Sequence, residues 1–388
     1  MNNKWTYKKI GEIGTILRGK GIQKTDFIEN GQPCIHYGQI HTAFDVSTDR
    51  HLSTISSDLY KKSIIASTGD VLLTLTSEDV EGSCKSTAWL GNYDVAVSSD
   101  AAIFKHSLNP KFFVYYTRSN SFFAEKSKYA RGFKVTHIKT SDIAEIPVPV
   151  PSLETQNNIV SELDKINELI KLKKTQLIDL DSLTESCFYD IFGNPLVNEK
   201  GWNIKKLGDI TDPTIGLTYK PENVTSDGSG TIVLRSSNIQ QSKLSFEDIV
   251  RVNVPIKDEK YVKNGDILMC SRNGSFKLVG KVAMIQQLSE PMSYGAFMTI
   301  IRSEYNPYLF GYFKTPAFRE YLIKGKTTTV NQITVKMLKD IMLPIPPHSL
   351  MKSFSELVSN IERQKQQICS SINDLENVLA SRMQYWFD

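Results

Sequence analysis

The chain has 388 residues, 40% hydrophobic, 23% charged and 10% aromatic, with a formal net charge of +4, a composition ordinary for a soluble protein of two or three domains. No apolar run approaches the roughly 18 residues a membrane helix needs and nothing near Met1 resembles a signal peptide, so a cytoplasmic protein with no membrane partner is expected. The cysteines Cys34, Cys84, Cys187, Cys270 and Cys369 lie far apart with no C-x-x-C pair, which argues against a zinc knuckle or a disulfide framework.

Residues 1–150 form a first module, opened by Trp5-Thr-Tyr-Lys-Lys-Ile-Gly-Glu-Ile13. Asp70-Val-Leu-Leu-Thr-Leu75, after Gly69, and Ala101-Ala-Ile-Phe104 read as strands, bounded by Gly, Ser, Asn and Asp turns. Asn109-Pro110 introduces an aromatic stretch that reads as a short helix. The module closes in Glu145-Ile-Pro-Val-Pro-Val-Pro151.

Residues 151–192 read as one long helix. Leu153 to Phe192 contains neither Pro nor Gly, Ser152 is placed to cap its start, and Gly193-Asn-Pro195 ends it. Apolar residues fall on alternating steps of four and three at Ile159, Leu163, Ile166, Ile170, Leu177 and Leu180, with Lys173 and Thr184 as polar exceptions. Such steps make a heptad seam.

The pattern then returns. Trp202-Asn-Ile-Lys-Lys-Leu-Gly-Asp-Ile210 opens a second module, residues 193–345, offset by 197 from the first. Gly265-Asp-Ile-Leu-Met269 answers Gly69-Asp-Val-Leu-Leu73, Asn306-Pro307 answers Asn109-Pro110, and Asp340-Ile-Met-Leu-Pro-Ile-Pro346 answers the first proline stretch. Thr231-Ile-Val-Leu234 and Phe297-Met-Thr-Ile-Ile301 supply strands here. Residues 346–388 repeat the helix, with a seam at Phe354, Val358, Ile361, Ile368, Ile372, Leu375 and Leu379 and exceptions at Lys365 and Arg382. A near-constant offset over the whole length is a tandem duplication of a unit of about 195 residues, too long for a solenoid repeat. Each exposed stripe needs a partner, and the obvious one is the other helix.

Charge follows this division. Residues 1–150 hold 18 Lys and Arg against 15 Asp and Glu, and residues 193–345 hold 20 against 14, whereas residues 151–192 hold 4 against 8 and residues 346–388 hold 4 against 5. Modules facing phosphate and helices facing protein fit that partition. Enzyme motifs fall short. Gly325-Lys326-Thr327 lacks the glycine five residues earlier that a phosphate loop requires, where Glu320 stands. Asp258-Glu-Lys260 has no acidic counterpart in the other copy, and the six histidines are scattered. Catalysis by this chain is not expected.

Two modules, each opening W-x-x-K-K-[IL]-G-[ED]-I, carrying G-D-[IV]-L, closing in I-x-x-P-x-P and running into a long helix, resemble the specificity subunit of type I restriction-modification systems. The resemblance covers essentially the whole chain, and departs after the second prolines, where Pro347-His-Ser-Leu-Met351 stands against Pro151-Ser-Leu-Glu-Thr-Gln156. It implies an α+β architecture: two pseudo-symmetric α/β target recognition domains separated by two long antiparallel coiled-coil helices. It further implies double-stranded DNA as ligand, read as an asymmetric bipartite sequence, with the helix pair as a ruler. Two modification subunits would be partners, with restriction subunits where a system has them. The chain itself would bind no cofactor; S-adenosylmethionine would belong to the methyltransferase subunit, ATP and Mg to a restriction subunit. The alternative is a two-module protein-binding scaffold without DNA specificity.

A shared binding face should reuse the same loops in both copies, so polar and basic residues at matching places are the candidates for DNA contact. They are Arg18, Lys20 and Lys24 against Tyr219 and Lys220; His36, Tyr37 and Gln39 against Arg235 and Asn238; Thr76 and Ser77 against Ser271, Arg272 and Asn273; and Arg131, Lys134, His137 and Lys139 against Lys326, Asn331 and Gln332. Arg, Asn and Gln can pair with base edges, while Lys more often holds phosphate. No metal ligands are expected.

Overall fold

The computed structural model describes residues 5–132, 135–286, 288–324 and 331–388, in two compact units: Met1–Lys174 with Cys369–Asp388, and Thr175–Ile368.

In the first unit a five-stranded sheet runs in the order Gly14–Arg18, Ala101–His106, Val71–Thr74, Ser86–Trp89, Ser47–Thr48, antiparallel except for its last pair. A four-stranded sheet, Ser53–Ile55, Gln32–Ile35, Val95–Val97, Ile64–Ala66, has a parallel pair at its centre. Val71–Thr74 is buried along its whole length because both faces are covered. Val71 and Leu73 join Phe104, Phe112 and Phe113 in one cluster, while Leu72 joins Ile35, Val97 and Ile103 in another. This two-residue alternation puts the aromatic helix Pro110–Tyr116 on one face and the smaller sheet on the other. Asn109 caps that helix, its Oδ1 accepting from the amides of Lys111 and Phe112 at 3.0 and 3.2 Å.

The second unit repeats the plan. Thr214–Ile215, Met298–Ile301, Ile267–Cys270 and Val282–Met284 form an antiparallel sheet, and Val224–Thr225, Arg251–Val252, Thr231–Leu234 and Met292–Tyr294 a second, its last pair parallel. The opening and closing motifs of each module pair with one another, Tyr7–Lys9 with Pro147–Pro149 and Asn203–Lys206 with Met342–Ile345. The G-D motif is a turn. Gly69 and Gly265 have φ of +94° and +87°, which glycine adopts without steric cost. Asp70 and Asp266 then accept the amides of Ser67 and Lys263, both at 2.8 Å, and pair with Lys105 and Arg302, both at 2.6 Å.

Each long helix has 40 residues, Leu153–Phe192 and His348–Phe387, and is therefore about 60 Å long. Ser152 Oγ accepts the Thr155 amide at 3.2 Å, and Gly193, at φ +77°, ends the first helix. Along the seam Ile159, Leu163, Ile170, Phe354, Ile361 and Ile372 are buried, while Ile166, Leu177, Leu180, Val358, Ile368, Leu375 and Leu379 are half-buried.

Within each unit the helical segments run antiparallel. In the first, Glu162 accepts from Arg382 and, at 3.1 Å, from Trp386 Nε1, and Lys174 meets Glu376 at 2.9 Å. In the second, Phe188 packs on Phe354, ring centroids 5.8 Å apart, and Lys365 meets Asp181 at 2.6 Å. The polar exceptions of the seam, Lys365 and Arg382, are thus ion-paired, and the Thr184 hydroxyl returns to the Leu180 carbonyl at 2.9 Å. The helices also complete the module cores: Ile159, Leu163 and Phe387 belong to the first, and Phe188, Phe192, Met351 and Phe354 to the second.

Candidate nucleic-acid interface

In each unit the first strand of the parallel pair leads into a loop that carries candidate residues, His36, Tyr37 and Gln39 in one and Arg235 and Asn238 in the other. In the first unit Gln32–Ile35 delivers His36 and Tyr37, and Val95–Val97 delivers the turn Ser98-Ser-Asp100. That turn gathers the other loops. Ser98 Oγ accepts the Tyr37 amide at 2.8 Å, the Ser99 carbonyl accepts from Arg18 Nε at 2.9 Å, and the Asp100 carbonyl accepts the Leu75 amide at 2.9 Å, beside Thr76.

Gly19 sits so close to this turn that a Cβ would stand 2.1 Å from the Ser98 carbonyl oxygen; a Cβ on Gly216 would stand 2.1 Å from the Tyr294 carbonyl oxygen. The two glycines are therefore the true counterparts. Arg18 then corresponds to Ile215 and Lys20 to Leu217, so the match of Lys20 with Lys220 is out of register by three residues.

The matches of Thr76 with Arg272 and of His137 with Gln332 agree with the backbone. Thr76–Ser77 pairs antiparallel with Thr136–His137, and the equivalent bridge in the second unit joins Arg272 to Gln332. Arg131 bridges His137, so Thr76, Ser77, Arg131 and His137 share one edge, with Thr76 Oγ1 3.1 Å from His137 Nδ1. His41, absent from the candidate set, adds its ring here, Nε2 lying 3.0 Å from the Thr76 carbonyl oxygen. Lys20, Lys24 and Lys139 are exposed. The Lys24 charge reaches His36, whose pKa is lowered chiefly by burial and further by that lysine. A neutral His36 can accept the Gly38 amide on Nδ1, at 3.1 Å.

The second unit forms a cleft of about 1030 Å³ that brings together Tyr219, Arg235, Arg272, Asn273 and Asn331, with Phe297 on its wall. Arg235 bonds Asp248 at 2.7 Å, but its Nε is buried without an acceptor among the described residues. Such an unmet donor costs about 1–3 kcal/mol, which a ligand oxygen or nitrogen would offset. Asn273 and Asn331 interlock, the Asn273 amide donating to the Asn331 carbonyl at 3.2 Å. Lys220 is exposed near Glu222 at 3.4 Å.

Some candidates are occupied by the fold. Asn238 Oδ1 and Gln39 Oε1 accept the amides of Arg235 and His36 at 2.8 and 3.0 Å, closing the same turn in both copies. Asn238 and Ser271 are buried, and the Ser271 hydroxyl bonds Thr299. Lys134 and Lys326 lie outside the described residues. Phe297 is not among the candidates because Phe297-Met-Thr-Ile-Ile301 reads as strand; the residue is 56% exposed on the turn that leads into it. Among the described residues no cluster of three or more His, Cys, Asp or Glu could hold a metal, and no helix is long and apolar enough to cross a membrane.

Known proteins share this organisation. The chain is 22% identical over 390 residues to the EcoKI type I restriction enzyme specificity subunit of Escherichia coli, covering 92% of this chain and 82% of that protein. It is 21% identical over 385 residues to the StySPI specificity subunit of Salmonella potsdam, covering 92% and 81%. Among solved structures, the type I restriction-modification S subunit from M. genitalium superposes with a TM-score of 0.55 at 14% identity, covering 100% of this chain and 97% of that one. A chain from a study of assembly and conformational transition in the type I R-M system gives 0.62 at 16% identity, covering 99% and 97%. The profile of the type I restriction modification DNA specificity domain matches residues 2–181 and again residues 199–376, so the chain belongs to that family and carries its domain twice.

Proposed function

We propose that this chain reads an asymmetric bipartite DNA sequence, one half with each module, and positions two methyltransferase subunits on it, along with restriction subunits in a system that has them. The observation that carries the reading is one loop arrangement built twice with different chemistry. At matching positions the first module presents Thr76 and His137 and the second Arg272 and Gln332. A duplicated face with changed side chains suits two unlike half-sites. Chemistry on DNA is assigned to the partners, which would supply S-adenosylmethionine and, for restriction, ATP and Mg.

Genome-wide mapping of methylated adenines with and without this gene should reveal one bipartite motif that depends on it. Replacing residues 1–150 with those of another family member should change one half of the motif only. Loss of both halves, or no gene-dependent motif, would count against the reading. Binding of the complex should weaken steeply with salt, since phosphate contacts release counterions; salt-insensitive binding would point to a protein scaffold instead.

A further inference from the structure

The second module contains five arginines, and four of them have partners. Arg235 bonds Asp248, Arg251 bonds Glu290, Arg302 bonds Asp266, and Arg319 donates to the carbonyls of Val279 and Phe276. Arg272 differs. Among the described residues its guanidinium has no hydrogen-bond acceptor and no carboxylate partner; it lies over the Phe297 ring, 5.1 Å from the centroid. Both groups are exposed at the cleft.

The backbone beneath is fixed on two sides. The Arg272 amide donates to the Phe297 carbonyl at 3.1 Å, and Arg272 bridges Gln332 on the neighbouring segment. Residues opposite one another across an antiparallel bridge project to the same face, so Arg272 and Gln332 stand side by side. The Gln332 carboxamide also has no partner among the described residues.

Attraction to the ring restrains the guanidinium, whose N–H fork has no acceptor among the described residues, so less freedom is lost when it binds. That fork matches O6 and N7 of guanine, as a glutamine carboxamide matches N6 and N7 of adenine. In the first module Thr76 and His137 hold this position and sit within hydrogen-bond distance of each other. The two copies therefore cannot share a code.

We infer that Arg272 and Gln332 are the base-reading pair of the second module, Arg272 bonding a guanine and Gln332 an adjacent adenine in the major groove of one half-site. The inference rests on the cleft being the DNA face. It is tested with the chain assembled with its modification subunits, on duplexes in which each base pair of the mapped motif is changed in turn. R272A should lose about 10- to 100-fold of preference at one guanine and Q332A a similar amount at its neighbour, with the other half-site still read. R272K, a point charge, should not restore the preference. The assignment is overturned if R272A weakens all sequences equally while the salt slope falls by about one, the mark of a phosphate contact. It is equally overturned if R272K recognises the motif as the parent does, or if neither single variant changes discrimination while melting temperature stays unchanged. Absence of any bipartite preference in the parent complex would remove the DNA reading itself, and this assignment with it.

Discussion

His106 shows how a single residue of the first module sets its response to acid. Its ring packs on Phe104 and Phe113, centroids 4.6 and 5.8 Å away, and Nδ1 accepts the Leu108 amide at 3.1 Å. Burial lowers its pKa from 6.5 to about 4, against the opposing pull of Asp70. The unfolded chain then binds the proton more readily than the folded one, so stability is full above the unfolded value near 6.5 and declines as pH falls toward 4. Denaturation midpoints of the first unit should drop between pH 7 and pH 5, and H106F should flatten that slope. An unchanged slope in H106F would assign the acid sensitivity elsewhere.

Among the elements, the two long helices are the most legible from the amino-acid order. Forty residues without Pro or Gly, a steady four-three rhythm, Ser152 at one end and Gly193 at the other all act locally, so sequence alone reveals them. The G-D turns and the strands after them are legible for the same reason. The candidate site is legible only in part. A repeat offset exposes Thr76 and Arg272 as counterparts, but the close approach of Gly19 to Ser98 and of Gly216 to Tyr294 exists only once distant strands have met. Without that contact the loop assignment slips by three residues. Two-residue strands such as Thr76–Ser77 carry too little pattern to be seen, and Asn238 reads as free because its acceptors lie in the loop that folds back over it. On the first helix, Leu163 is fully buried and Leu172 is 55% exposed. L163A should cost about 3 kcal/mol in denaturant titration and L172A within about 0.5 kcal/mol. Equal losses would mean that the seam does not carry the packing attributed to it.

At the scale of the whole molecule, sequence neighbours and core neighbours part company. The first unit is completed by residues 369–388: Phe387 fills the core against Phe112 and Tyr116, at 5.5 and 5.9 Å, and Trp5 Nε1 donates to the Trp386 carbonyl at 3.2 Å. Asp388 adds a cap, its carboxylate accepting from the amides of Asn120 and Ser121 at 3.3 and 2.7 Å. F387A should destabilise by about 3–5 kcal/mol, with faster hydrogen exchange in Val71–Thr74 and none of that loss in Ile267–Cys270. Exchange that rises equally in both strands would place Phe387 in a shared folding unit.

The same arrangement has a cost during synthesis. Phe112 and Tyr116 leave the ribosome some 270 residues before Phe387 does. At about 5–20 residues per second, the nascent first module waits on the order of 15 to 50 seconds before Phe387 can pack on Phe112 and Tyr116. For that interval it is a target for chaperones and proteases, and whatever delays translation of the second module prolongs the first module's exposure.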